Sequence, residues 1–169
     1  MEILVTLISL VHRIFLLKND KAIAWITGII ASILSISYFY SIGLHIYAGL
    51  EVGFIVLMLY GLVKNKTQKV ENIINIFTGI FCLILGYLSF VGVLTFLELV
   101  SSITPLMAIY YLTKNKNKSG WVLMVITCII TTFVVFEKGQ IIFAIYQVVS
   151  LILAIYGLKK SYARLDTLK

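Results

Sequence analysis

Apolar residues run along the chain in seven long stretches, separated by short polar clusters. Bounded by those clusters, the stretches cover about 2–17, 23–40, 44–63, 71–91, 94–113, 120–136 and 140–158. Each run is continuous, whereas a membrane barrel strand alternates polar and apolar positions over about ten residues. The pattern therefore predicts helices. A helix needs about 20 apolar residues to cross the hydrocarbon of a bilayer. Seven crossings are expected, the first and sixth short enough to need tilt or local thinning.

Composition supports lipid as the solvent. The chain is 61% hydrophobic and 12% charged, with one proline in 169 residues. Soluble domains carry about 25% charged residues, so a soluble enzyme fold is a poor match. The fold class expected is an all-α integral membrane protein. The first run is interrupted by His12 and Arg13 and lacks a small-residue cleavage site after it, so it reads as a span and not a cleaved signal. Cys82 and Cys128 lie inside apolar runs with no metal or disulfide spacing.

The net charge of +7 changes the picture through its distribution. Positive clusters occur at Lys18–Lys21, Lys64–Lys69, Lys114–Lys118 and Lys159–Lys169, while the intervening turns are neutral. With seven spans, every positive cluster falls on one face, which then carries +9 against −1 from Glu2 on the other. Positive residues mark the cytoplasmic side. The expectation is a multi-pass cell-membrane protein with its N-terminus outside and its C-terminus cytoplasmic. No soluble basic face with stacking aromatics is present, so no nucleic-acid partner is expected.

The chain also matches itself. Residues 2–64 laid on 98–160 without a gap give 17 identities, among them Trp25 with Trp121, Gly43 with Gly139, and Tyr60-Gly61-Leu62 with Tyr156-Gly157-Leu158. Each copy holds three spans, and the span at 71–91 has no counterpart. The expected plan is 3+1+3: a first repeat at 1–65, a linker helix within 66–93, a second repeat at 94–160 and a cytoplasmic tail at 161–169. The odd helix gives both triplets the same orientation, as in SWEET-type carriers, where the solute site lies between the repeats near the midplane.

Polar residues inside spans are costly and often functional. Glu51 lies in the third span, and its counterpart is Gln147. Together they can hydrogen-bond a solute across the pseudo-twofold axis, and Glu51 can attract a cationic ring. They can also tie helix to helix. Tyr47, Tyr146 and Gln140 lie within about two helical turns of one or the other and join the candidate binding set. Tyr38, Tyr40, Tyr60 and Tyr156 also fall in the flanking spans. Trp25 and Trp121 stand just past the lysine clusters, at the depth of interfacial anchors. Arg13, whose counterpart is Ile109, is expected to snorkel to the cytoplasmic surface. Pro105 is expected to kink the fifth span. Gly28, Gly49, Gly53, Gly61 and Gly157 suit close helix contact. No catalytic grouping, phosphate loop, metal set or cofactor motif is present, and no enzyme activity is expected.

The stretch Trp25-Ile-Thr-Gly28, Tyr38-Phe-Tyr40, Gly43-Leu44, Glu51-Val52 and Tyr60-Gly61 resembles the first repeat of PnuC-type vitamin transporters. Trp121, Lys138-Gly139 and Tyr156-Gly157 resemble the second. The chain departs from the family pattern at Glu51, Met124, Cys128, His45 and Leu62, where the family has Gln, Trp, Asp, Tyr and Trp. The resemblance implies facilitated uptake of nicotinamide riboside or a related B vitamin, trapping by a cytoplasmic kinase, and a homotrimer. It also adds Trp121 to Glu51 and Gln147 as a substrate contact. A SWEET-like carrier of another small solute, and a non-transporting sensor or immunity protein, share the same architecture.

Overall fold

The structure is a computed structural model that describes residues 1–18, 20–63 and 67–166. Asn19, Lys64, Lys66 and Lys169, which enter the repeat match or the charge clusters, lie outside the described residues. Seven helices follow one another: α1 (Glu2–Lys18), α2 (Lys21–Ser41), α3 (His45–Leu62), α4 (Gln68–Phe90), α5 (Phe96–Thr113), α6 (Asn117–Glu137) and α7 (Ile141–Asp166). No strand occurs among the described residues. Six of the helices, α2 to α7, are long and apolar enough to cross a membrane.

α1 falls short of the other six because it has 17 residues and carries His12 and Arg13 in its body. It still presents an exposed apolar stripe of Ile3, Leu7, Val11 and Ile14, while Val5, His12, Arg13 and Leu16 are buried. The sixth helix is not short as its sequence suggested. It begins at Asn117, inside the lysine cluster, and has 21 residues. The first turn of a helix need not be apolar, because its free N–H groups can be met by water. α7 likewise continues to Asp166, through most of the stretch read as a tail.

Side-chain chemistry sets several helix starts. Asp20 caps α2 through Ile23 N, and Thr67 caps α4 through Val70 N. Thr95 and Glu98 form a reciprocal capping box at α5. Gly43 and Gly139 occupy left-handed conformations, with φ of 77° and 74°, in the turns that lead into α3 and α7. A side chain at either position would strain the backbone.

Six helices form a closed circuit. α1 packs on α2, α2 on α3, α3 on α5, α5 on α6, α6 on α7, and α7 back on α1. α4 stands outside this circuit, against α5 and, more lightly, α3. Burial is inverted relative to a soluble protein. Ser32, Ser35, Ser101, Ser102, Thr127, Gln147 and Ser150 are buried, whereas Ile26, Ile30 and Ile33 of α2 and Ile73, Ile76 and Ile80 of α4 are exposed. The main apolar core lies toward the lysine-bearing ends of the helices, where Trp25, Leu57, Met58, Leu106, Ile109, Leu112, Trp121 and Met124 pack together.

Trp25 and Trp121 are not interfacial anchors; they are 1% and 5% exposed. Each lies flat against a helix that offers glycine. A Cβ on Gly61 would come within 2.8 Å of the Trp25 ring, and one on Gly157 within 2.6 Å of Trp121. Gly28 and Gly53 also admit close neighbours, but Gly49 has open space beside it and makes no such contact. Gly61→Ala and Gly157→Ala are each expected to destabilise by about 1–3 kcal/mol through overpacking. Thermal unfolding of the detergent-solubilised protein tests this, with Gly79→Ala, a helical position with open surroundings, as the control expected to lose no stability.

Candidate functional site

The circuit of six helices encloses a cavity of about 160 Å³. Each of the six contributes to its wall, and no lining residue comes from α4. At the lysine-bearing end the cavity stops at Met58, Ile109 and Met124, which belong to the apolar core. At the other end it reaches Leu44, Lys138 and Gln140, at the α2–α3 and α6–α7 turns.

Five of the six residues singled out from the sequence line this one cavity: Glu51, Gln147, Tyr47, Tyr146 and Gln140. Glu51 extends from α3 and lines the cavity alongside Ser32 of α2. Gln147 of α7 is 7% exposed, and its Oε1 has no hydrogen-bond partner among the described residues. A helix-to-helix bond would have satisfied that oxygen. Thr127 and Thr131 of α6 present similarly unpartnered hydroxyls to the cavity. Gln140 accepts a hydrogen bond from the Tyr38 hydroxyl at 2.6 Å, which joins α2 to the start of α7. Tyr47 stands beside Phe39, with ring centroids 5.8 Å apart.

Trp121 is placed elsewhere. It borders a second cavity of about 380 Å³ at the lysine-bearing end, together with Trp25, Lys21, Lys116, Lys118 and Lys160. The apolar core separates the two spaces.

Several cavity residues escaped the sequence reading. Arg13 does not snorkel: it is 8% exposed and lines the cavity. Its Nε donates to the Tyr146 hydroxyl at 3.1 Å, and a terminal nitrogen lies 3.7 Å from Cys128 Sγ. His12 Nδ1 lies 2.6 Å from the Ala24 carbonyl oxygen, so it is the protonated nitrogen that donates there and ties α1 to α2. The signal was available in the spacing. Ser9, His12 and Arg13 fall at i, i+3 and i+4, one polar face of an otherwise apolar helix. Pro105 and Ser101 also line the wall. Pro105 lacks an N–H, which leaves the Ser101 carbonyl, four residues back, without its helical partner. α5 nonetheless runs unbroken from Phe96 to Thr113.

At the turn end of the cavity, Lys138 pairs with Glu98 at 2.5 Å, joining the α6–α7 turn to α5. The hydrogen bond to Glu98 holds the Lys138 ammonium above the usual lysine range, against the opposing effect of burial. A raised lysine pKa contributes stability that is complete below the ordinary value and fades as pH climbs through the folded one. This tie therefore persists through the neutral range.

The family model described as nicotinamide mononucleotide transporter matches residues 1–161. The chain belongs to that family. Membership makes it a membrane transporter of the nicotinamide mononucleotide or riboside type, and it bears out the PnuC-type resemblance carried by Trp25, Tyr38, Gly43, Tyr60 and their fellows. No curated protein and no solved structure matches the chain. Gln147→Leu is expected to leave the melting temperature unchanged or higher, since an unpartnered buried acceptor is replaced by an apolar group of similar size. A fall in melting temperature would instead mark Gln147 as a packing bond.

Proposed function

We propose that this transporter carries nicotinamide riboside, or a related B vitamin, through the six-helix circuit by facilitated diffusion. The observation that carries the reading is the joint placement of Glu51 and Gln147. They come from matching positions of α3 and α7 and line one cavity walled by six helices. The cavity volume of about 160 Å³ is comparable to an engineered cavity of about 150 Å³ that admits benzene. A pyridinium ring is of that size. It would stack against Tyr47, Phe39 or Tyr146, with Glu51 offsetting its charge. The ribose needs more room, so the bundle must widen to admit the whole molecule.

In this reading residues 1–65 and 94–160 are parallel repeats of three spans each, joined by the linker helix within 66–93. Two features support it. α2 and α6 have the same length and start 96 residues apart (117 against 21). The contacts between the triplets are also reciprocal: α1 meets α7, the counterpart of α3, and α3 meets α5, the counterpart of α1. α1 completes seven spans, its charged groups turned inward. The lysine-bearing end faces the cytoplasm, the N-terminus lies outside, and the cavity reaches toward the outer end. Passage inward then requires the layer containing Trp25 and Trp121 to part, which gives Trp121 a place on the route beyond the cavity. A cationic solute is drawn inward by about 2.3 kcal/mol per charge at 100 mV. Cytoplasmic phosphorylation would keep the free internal concentration low.

Uptake of labelled nicotinamide riboside into proteoliposomes tests this. Wild-type protein is expected to equilibrate the label, and Glu51→Ala or Gln147→Ala to slow it by about tenfold, the equivalent of one lost hydrogen bond to a charged group. Absence of uptake by the wild type for nicotinamide riboside, thiamine and riboflavin alike would overturn the reading.

A further inference from the structure

We propose that Arg13 is an oxyanion subsite of the transport cavity, so that a solute bearing a carboxylate or phosphate docks that group on the guanidinium while Glu51 takes its cationic or donor end. The proposal rests on the transport reading above and adds to it the chemistry of the solute. Arg13 lines the cavity and is 8% exposed. A guanidinium offers five N–H donors and always carries its charge. Here its protein partners are neutral: one is the Tyr146 hydroxyl at 3.1 Å, and the other is a thiol sulfur at 3.7 Å, a weak acceptor.

Among the described residues Arg13 forms no ion pair; those present are Lys114 with Glu71 and Lys138 with Glu98. Of the other charged side chains on the cavity wall, Lys138 is paired with Glu98, and Glu51 of α3 forms no ion pair among the described residues. Arg13 reaches toward α6 and α7. Arg13 and Glu51 thus line one small cavity from different helices without pairing with each other. A buried ion without a counter-ion is strongly disfavoured. An oxyanion supplies the acceptors that Arg13 lacks, in the fork geometry that matches a carboxylate or phosphate. The repeat places Ile109 opposite, so the subsite is one-sided and would orient an ampholytic solute.

The test measures binding to the purified full-length protein of three probes that share a ring and sugar. These are nicotinamide riboside, its ring-carboxylate analogue nicotinate riboside, and nicotinamide mononucleotide. Wild type is expected to bind at least one anion-bearing probe about tenfold or more tighter than nicotinamide riboside, and the preferred one separates carboxylate from phosphate. Arg13→Gln is expected to collapse that preference to parity. Equal or better wild-type binding of nicotinamide riboside overturns the proposal, and so does a preference that survives Arg13→Gln. The wild-type ranking needs no variant and decides the matter if Arg13→Gln fails to fold. If none of the three binds, nicotinamide riboside fails as the solute, independently of the subsite. The subsite is then judged by thermal stabilisation with sodium phosphate and sodium acetate against sodium chloride. It stands if stabilisation is present in wild type and lost in Arg13→Gln or Arg13→Lys, and falls if it is absent.

Discussion

Hydrocarbon around the helices leaves a polar side chain one place to go, the interior of the bundle, because no water is at hand outside to satisfy it. The rest of the structure answers to that constraint. Isoleucines point outward from α2 and α4, and serines, threonines and Gln147 point inward. An apolar driving force cannot hold such helices together, since lipid is as apolar as their side chains, and close packing at small residues takes over. The Trp25–Gly61 and Trp121–Gly157 contacts are that packing in its tightest form. They sit in the layer that separates the central cavity from the lysine-rich one.

The same constraint makes the cavity chemically loaded. Polar groups turned inward from six helices meet one another, and those that cannot all pair leave donors and acceptors over. Gln147, Thr127 and Thr131 keep unpartnered atoms, and Arg13 has only neutral acceptors. A charged side chain turned into the bundle is costly to bury, which a purely structural role would have to offset. In a transporter, leftover capacity of this kind is what a passing solute can use.

That Glu51 and Gln147 line one cavity was legible from the self-match of the sequence, which pairs them at equal spacing from Trp25 and Trp121. Tyr47, Tyr146 and Gln140 followed by proximity along the helix. Arg13 was misjudged because a cation near a span end has two solutions, outward to the headgroups or inward to a polar partner. The choice belongs to Tyr146 and Cys128, which lie more than a hundred residues away in the chain. The two tryptophans were misjudged for a similar reason. Their depth matched an interfacial anchor, but Gly61 and Gly157 open a slot for each ring inside the bundle.

By itself the sequence determined the solvent, the helical class, the ends of most helices and the family. These depend on runs of local hydropathy, on capping residues and on glycines that occupy left-handed turns, all of which act over a few residues. Only the tertiary structure decided which faces turn inward, that α1 is closed into the circuit by α2 and α7, and that Arg13 and Glu51 share a cavity without pairing. Those outcomes depend on contacts between helices far apart in the chain, and hydropathy along the chain does not encode which neighbour a helix face will meet.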